Sequence, residues 1–381
     1  MRSTTRSAVE VDVGMSGLSA STTARDATHG VDAAPSRGET GWRWRYPLAA
    51  AMLLASVIVL SRLAAPAPTP SDPPLPGWQT IRPPHEVAAL AVQGDVVWAG
   101  GMEGVARIDR RSGALLDPLP CEPPLTQVRA LLVATDSTLW IGHQNGLTRF
   151  DGHSCTTLTP ADGLPDQRVN ALAWDGRGQL WVGTRGGAAV MTDAGWRTYH
   201  VADGLLDEMV NALLVDHQGG VWFGSYSAPR GGVSVLRDGR WQHFSVENGL
   251  PHNNVTSFFQ DRQGAVWVGT GFYDRGGAVR LVPRDDVWRI DRVLTDQDGL
   301  AGAKARSIGQ DSLGRYWFGS EYSGLAVMDN DRVMAITNQH GLSDNEVKAI
   351  LPDADGNVWL GTRDGVTRVG AEAVRALSIG K

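Results

Sequence analysis

The stretch GLPDQRVNALAWDGRGQLWVGTRGGAAV, from Gly163 to Val190, contains every element of a repeat that recurs along the chain. It opens on Gly-Leu, continues with an apolar segment from Val169 to Trp174, and then reads Asp175-x-x-Gly178 before WVGT at Trp181. The apolar segment has the length and composition of a β-strand. Asp and Gly at this spacing are typical of a tight turn. The stretch therefore predicts two strands joined by a turn.

Tryptophan marks the period of the repeat. Seven tryptophans stand in the frame W-φ-G-[T/S/H/G], at gaps of 42, 41, 41, 45, 50 and 42 residues: Trp98, Trp140, Trp181, Trp222, Trp267, Trp317 and Trp359. The last five repeats carry the D-x-x-G turn, with aspartates Asp175, Asp216, Asp261, Asp311 and Asp353, and the first two lack it. A ring of carboxylates or a metal site is the alternative use of these aspartates. We favour the turn, because Asp commonly bonds its own backbone there.

The repeats predict a closed ring of sheets. Each repeat is interpreted as four short strands, and the inner strands carry apolar residues on both faces. Such a sheet is stable only between similar sheets, and a ring leaves only short edges exposed. The sequence therefore predicts an all-β fold, a single seven-bladed β-propeller of four-stranded blades over residues 77–381. Strand-like segments at both ends, Trp78–Ile81 and Val374–Ile379, could complete the last blade, and the sequence leaves this choice open.

The residues before the propeller predict three further segments. Residues 1–41 are rich in Ser, Thr, Ala and Gly and are predicted to be a disordered cytoplasmic N-terminus. An uncharged run from Tyr46 to Ser61 between arginines predicts a transmembrane signal-anchor helix over residues 42–65. Residues 66–76 form a proline-rich linker. We expect a single-pass inner-membrane protein with a periplasmic propeller; the alternative is a cleaved signal peptide and a secreted propeller.

Composition and motifs exclude several functions. The formal net charge is -6, and no stripe of Lys and Arg could follow a row of phosphates, so nucleic acid is not an expected partner. There is no G-x-x-x-x-G-K-[ST] loop, no H-E-x-x-H and no G-x-S-x-G. We therefore predict no catalytic residue, no metal site and no cofactor.

The chain has two cysteines, Cys121 and Cys155, in adjacent repeats. They occupy different positions within their repeats. The sequence allows a disulfide between them in an oxidising compartment but does not favour it.

The repeat closely resembles the two-component-regulator propeller repeat of bacterial extracytoplasmic sensors. The resemblance is carried by the opening stretch and by GLPHNNVTSFFQDRQGAVWVGT (Gly249 to Thr270) and GLSDNEVKAILPDADGNVWLGTRDGV (Gly341 to Val366). It implies a ligand-binding periplasmic domain. Family members often carry two propellers, a β-sandwich and a kinase or cyclase output, whereas this sequence shows one propeller, preceded by the predicted span, and no H-box. We therefore predict a non-catalytic, extracytoplasmic ligand- or protein-binding propeller, such as a sensor accessory that works with a separately encoded sensor kinase.

Unequal loops indicate where a ligand could bind. In a propeller the d–a and b–c connections meet at one mouth of the channel, and the b–c loops of blades four, five and six are enlarged as GSYSAPRGG, GTGFYDRGG and GSEYSG. Aromatic rings beside Arg and carboxylates suit a small polar ligand such as a carbohydrate or a peptide. The candidate ligand-binding residues are Tyr226, Arg230, Phe272, Tyr273, Asp274, Arg275, Glu321 and Tyr322, with Arg185, His252 and Arg363 from neighbouring connections. The neighbouring d–a connections also bring further polar residues to this mouth: Arg168, Glu208, Asn253, Asn254, Lys304, Arg306, Asn345 and Glu346. The alternative is that the tyrosines of these loops merely pack on their own blades.

Two other functions are compatible with a propeller. Propeller lyases similar to streptogramin lyase use His and Glu around a metal at the channel mouth, and His252, Glu208, Glu321 and Glu346 are the residues that could do so in this chain. A structural envelope scaffold, with an envelope protein as partner, is the second alternative.

Overall fold

The computed structural model of the chain describes residues 76–285 and 287–379. They form seven antiparallel sheets. The predicted N-terminus 1–41, the signal anchor 42–65 and all of the linker 66–76 except its last residue lie outside the described residues. Within the described ranges, none of the helices has the length and hydropathy of a membrane span.

The strands follow the predicted repeat. The first, β1 (Trp78–Ile81), precedes blade one, which contains β2 (Ala89–Gln93), β3 (Val96–Gly101) and β4 (Gly104–Asp109). Blade two has β5 (Ala130–Val133), β6 (Leu139–His143), β7 (Gly146–Phe150) and β8 (Cys155–Leu158). Blade three has β9 (Val169–Trp174), β10 (Leu180–Thr184), β11 (Gly187–Thr192) and β12 (Gly195–Tyr199). Blade four has β13 (Val210–Val215), β14 (Val221–Ser225), β15 (Val233–Arg237) and β16 (Arg240–Phe244).

The remaining blades complete the ring. Blade five has β17 (Val255–Gln260), β18 (Val266–Phe272), β19 (Arg275–Arg284) and β20 (Val287–Leu294). Blade six has β21 (Ala305–Gln310), β22 (Tyr316–Ser320), β23 (Leu325–Asp329) and β24 (Arg332–Ile336). Blade seven has β25 (Val347–Pro352), β26 (Val358–Thr362) and β27 (Gly365–Val369), and α1 (Ala371–Ala376) follows it. Single 3-10 turns precede blades three to seven: Pro160–Asp162, Val201–Asp203, Val246–Asn248, Asp296–Asp298 and Asn338–His340. The innermost strand of each blade contacts that of the next, and β25 contacts β2, so the seven-bladed propeller is closed.

The N-terminal strand closes the ring. β1 pairs with β27 over four residues, from Trp78 opposite Val369 to Ile81 opposite Val366. Arg82 extends the join, because its Nε lies 2.9 Å from Asp364 Oδ1. Blade seven therefore has four strands from both ends of the propeller. This resolves the choice that the sequence left open.

The C-terminal segment differs from the prediction. The expected strand at Val374–Ile379 is wrong, since Ala371–Ala376 is the helix α1. β1 already occupies the edge of β27 where the fourth strand of blade seven belongs. The sequence AEAVRA has good helix propensity, and buried Arg315 holds the helix by donating to the Val374 carbonyl at 2.6 Å.

Blade one has three strands, whereas the other six sheets have four. Its fourth strand is reduced to one bridge between Ile108 and Leu115. The chain then continues to Cys121, which forms a disulfide with Cys155 on the outer strand of blade two, with Cα atoms 5.3 Å apart. The expectation that disfavoured this disulfide is wrong. Cys121 lies outside the repeated strands, so its alignment within the repeat did not bear on the pairing.

Each part of the W-φ-G-T frame has a separate physical role. In blade three the Trp181 indole donates to Asp175 Oδ2 at 3.2 Å, while Asp175 Oδ1 accepts backbone N–H groups of its own turn. The aspartates of the D-x-x-G turns in blades four to seven accept backbone N–H groups of their own turns in the same way, so the predicted turn role is confirmed. The Thr184 hydroxyl donates to the Gly187 carbonyl at 2.8 Å across the b–c turn. At Gly183 a Cβ would come within 2.8 Å of Val210 in the next blade, so glycine lets adjacent blades pack closely.

Blade two has a histidine, His143, where blade three has Thr184. It is buried at 3 % exposure and its Nε2 lies 2.9 Å from Thr148 Oγ1. Burial lowers the pKa of His143 to about 4. The imidazole is therefore neutral at physiological pH.

Candidate functional site

One residue near the start of the innermost strand of each blade lies at the channel, and in blades three to seven a β-bulge places it there. In blades three to seven the register with the second strand skips one residue, as between Val210 and Ala212. Bulges re-aim side chains and often lie beside binding sites. The skipped residues are Asn170, Asn211, Thr256, Arg306 and Lys348, and Ala88 and Arg129 hold the equivalent place before β2 and β5.

These seven residues line one cavity of about 340 Å³. The other lining residues come from the connections at one end of the blades. Arg168, Met209 and Lys304 belong to d–a connections, and Arg185 and Tyr226 belong to b–c connections. The cavity is therefore the mouth of the channel, and its volume is in the range typical of small-molecule sites.

The neutral part of the wall is tied to the neighbouring blades. Asn170 Nδ2 donates to the Val210 carbonyl at 3.1 Å, and Asn211 Nδ2 donates to the Val255 carbonyl at 3.3 Å. The Thr256 hydroxyl donates to the carbonyl of the next innermost strand in the same way. Each of these bonds crosses from one blade to the next, so they fix the side chains that face the channel.

One side of the mouth carries an alternating network of charges. The contacts run in the order Lys304, Glu321, Arg306, Glu346, Lys348 and Glu86. Lys304 Nζ lies 2.8 Å from Glu321 Oε1 and 3.0 Å from the Tyr226 hydroxyl, and its side chain is 5 % exposed. Arg306 bridges the two neighbouring glutamates at 3.0 and 3.1 Å. The basic residues of this side are therefore compensated.

The opposite side of the mouth carries Arg129, Arg168 and Arg185. Within residues 76–285 and 287–379, none of the three forms an ion pair with a carboxylate. Desolvation in the channel lowers the pKa of Arg129, and the positive charges of Arg168 and Arg306 lower it further. Mutual repulsion of like charges in a concave site favours a bound anion.

The structure separates the sequence-predicted residues into two groups. Arg185 and Tyr226 line the cavity, as do Arg168, Lys304 and Arg306, which were predicted to lie in the d–a connections. Glu321 contacts two of these basic residues, Lys304 and Arg306. The others lie around it: Arg230, Phe272, Tyr273, Asp274, Arg275, Tyr322 and Arg363 are exposed and His252 is half-buried.

The outer residues include a small aromatic cluster. The rings of Phe272 and Tyr273 are 4.4 Å apart, and His252 stacks on Phe272 at 6.3 Å. Tyr273 is 68 % exposed and has a φ of 52°, a left-handed conformation that is uncommon for a bulky residue. Tyr322 is similarly exposed, at 64 %. The tyrosines at the tips of these two loops therefore project into solvent instead of packing on their blades.

Sequence reasoning placed five of the twelve lining residues at the mouth and missed the other seven. The signal was present: the residue after the first Val or Ala of each innermost segment is the one that faces the channel. In the order of the blades these residues are Ala88, Arg129, Asn170, Asn211, Thr256, Arg306 and Lys348. Of these seven channel-facing residues, sequence reasoning identified only Arg306, because it considered the loops and not the strands.

The residues considered for a metal-dependent lyase do not converge. Glu208 pairs with His200 at 3.0 Å, and Glu321 and Glu346 pair with basic residues of the mouth. His252 stacks on an aromatic ring. No three His, Cys, Asp or Glu side chains of the described residues are arranged to hold a metal ion.

Four repeats match a known family model, that of the two component regulator propeller. The matched residues are 163–186, 204–227, 249–272 and 341–364, which belong to blades three, four, five and seven. The resemblance of the repeats to this family is thereby confirmed. No curated protein matches the chain.

Solved propellers share the fold. The extracellular domain of BT3049, a proposed hybrid two component system of B. thetaiotaomicron, matches with a TM-score of 0.68 at 18% identity, over 80% of this chain and 42% of that one. PorZ, a surface component of the type-IX secretion system of Porphyromonas gingivalis, matches with a TM-score of 0.56 at 17% identity, over 80% of this chain and 48% of that one. Virginiamycin B lyase from Staphylococcus aureus matches with a TM-score of 0.59 at 14% identity, over 76% of this chain and 98% of that one. The chain thus spans about two fifths of the first structure, and identities this low show the fold alone.

Proposed function

We propose that the chain is a non-catalytic, extracytoplasmic propeller that binds a small polar ligand at the mouth of its channel and serves as the recognition part of a sensor. The observation that carries this proposal is the cavity of about 340 Å³, to which every blade contributes a side chain. The repeat family supports the sensor role, because its model describes the propeller of a two component regulator. The network of bonds between blades supports binding, since a prearranged wall reduces the entropy lost when a ligand binds.

We further propose that the propeller lies in the periplasm, attached to the inner membrane by the predicted anchor. The disulfide between Cys121 and Cys155 supports an oxidising compartment. A separately encoded sensor kinase is the partner that the family resemblance suggests. The exposed tyrosines Tyr273 and Tyr322 would then lie at the rim, where such a partner could contact both the propeller and its ligand.

Binding by the full-length chain to an array of glycans and short peptides tests the proposal. We expect a subset of compounds to bind, and we expect Ala88→Trp to remove that binding by filling the mouth. Six equivalent positions carry larger side chains than Ala88, so this position accommodates a side chain that points into the channel.

The control is Gln218→Trp, which adds the same ring to an exposed a–b turn at the other end of the blades. Thermal unfolding of both variants checks that they are folded. We expect Tyr273→Ala and Tyr322→Ala to weaken binding less than Ala88→Trp does. If no compound binds, or if binding persists in Ala88→Trp, the proposal is wrong.

A further inference from the structure

We infer that the ligand of the channel mouth is a small hydroxylated acid, whose anionic group is held by Arg129, Arg168 and Arg185 and whose hydroxyl groups bond to Asn170 and Asn211. This inference rests on the function proposed above and names the chemical class of its ligand.

The charge of the mouth is the first argument. Six basic side chains line the cavity, and only Lys304, Arg306 and Lys348 have glutamate partners among the described residues. The three uncompensated charges are all arginines. A guanidinium presents a rigid fork of N–H donors that matches the oxygens of a carboxylate, phosphate or sulfate. Blades two and three therefore offer a preformed site for one such oxyanion.

The neutral wall is the second argument. The side-chain N–H groups of Asn170 and Asn211 donate to backbone carbonyls of the next blade. Among the described residues the side chains of Asn170 and Asn211 form only these Nδ2 hydrogen bonds, so their amide oxygens remain as acceptors at the cavity. Acceptors beside a cationic group require hydrogen-bond donors on the ligand. Hydroxyl groups on the carbon skeleton of an acid meet this requirement.

The third argument concerns the remaining surface. Tyr226 and Met209 border the cavity on the side of blade four. Lys304 donates to the Tyr226 hydroxyl oxygen, which leaves the hydroxyl hydrogen available for a ligand. An aromatic face next to polar groups suits a ring or chain that has both apolar and hydroxylated sides. The two sides of the mouth thus match the two ends of a single small molecule.

Isothermal titration of the full-length chain at low salt tests this inference. The probes are glucuronate, glucose 6-phosphate and citrate, with glucose as the neutral counterpart. We expect at least one acid to bind with a dissociation constant at least about tenfold below that of glucose, since a hydrogen bond to a charged group is worth more than a neutral one. Glucuronate and glucose 6-phosphate distinguish a carboxylate from a phosphate, and citrate tests the need for several hydroxyl groups.

Substitution of the arginines locates the binding. In the double variant Arg168→Gln with Arg185→Gln, we expect the affinity for the acid to fall about tenfold to a hundredfold. Arg177→Gln is the matched control, because Arg177 lies on the a–b turn of the same blade, away from the mouth. Added NaCl should weaken acid binding to the native chain and should have little effect on the double variant.

The outcomes separate this inference from the proposed function. If none of the three acids binds at millimolar concentration, or if the double variant binds them as well as the native chain, the inference is wrong. If glucose binds, is excluded by Ala88→Trp and is unaffected by the double variant, the proposed function stands without the acid. If acid binding survives Ala88→Trp, both are wrong.

Discussion

Closure of the ring by β1 makes a quantitative prediction for Ile81→Ala. Ile81 is 5 % exposed and packs with Val87, Trp359 and Val366 at the join between blades seven and one. Truncation of a buried Ile costs about 2–5 kcal/mol. For a propeller of this size the unfolding entropy of about 2 cal/mol/K per residue converts this cost to a Tm lower by about 3–8 °C.

The matched control is Ile336→Ala. Ile336 is the last residue of β24 in blade six, the same place in the outer strand, and it is fully buried. Its strand is joined to its own blade by a short turn, whereas β1 is separated from β27 by the whole ring. We therefore expect the two variants to lose similar global stability but to differ in local opening.

Native-state hydrogen exchange measures this difference. In Ile81→Ala the backbone amides of β27 should exchange faster than in the native chain, because release of β1 exposes that strand without unfolding the other blades. In Ile336→Ala the β27 amides should lose protection only as far as global stability falls. Equal exchange of β27 in the two variants at equal stability would refute closure by β1. An unchanged Tm after deletion of residues 77–82 would refute it as well.

Two further predictions concern stability. Cys121 and Cys155 are 34 residues apart, and changing both to Ser should lower the unfolding free energy by about 3–4 kcal/mol. Urea titration with and without reductant measures this loss. The doubly substituted chain should not respond to reductant. Burial lowers the pKa of His143 from 6.5 to about 4. Between pH 4 and 6.5 the folded chain therefore binds fewer protons than the unfolded chain. Its unfolding free energy should fall by about 3 kcal/mol as the pH drops from 6.5 to 4. His143→Thr should flatten this part of the pH profile, and an unchanged slope would contradict the assignment.

The fold was predictable because one repeat determines its own packing. Each copy of the W-φ-G frame marks one sheet, so seven copies predict seven blades. The apolar innermost strand and, in the last five repeats, the Asp of the turn accompany this frame. The ends of the ring are less predictable. The strand-like segment Val374–Ile379 does not form the fourth strand, because β1 already pairs with the edge of β27. That information lies some 290 residues away in β1.

The site was only partly predictable for a different reason. Alternation along a strand assigns residues to the two faces of a sheet, whereas a bulge gives one residue to neither face. Asn170 and Lys348 therefore read as ordinary strand positions, although they line the channel. Loop length did identify Tyr226, but the short loop of Arg185 contributes to the cavity as much as the long loops do.

Because β1 pairs with β27, the resistance of the propeller to a pulling force depends on the direction of that force. Trp78 lies opposite Val369, so the start of β1 and the end of β27 leave the sheet at the same place. Tension applied between residue 76 and the C-terminal helix would unzip the pairs one at a time. Tension between residue 76 and a molecule held at the channel mouth would instead shear all four pairs at once. The four residue pairs between β1 and β27 therefore separate at a low force in the first direction and at a higher force in the second.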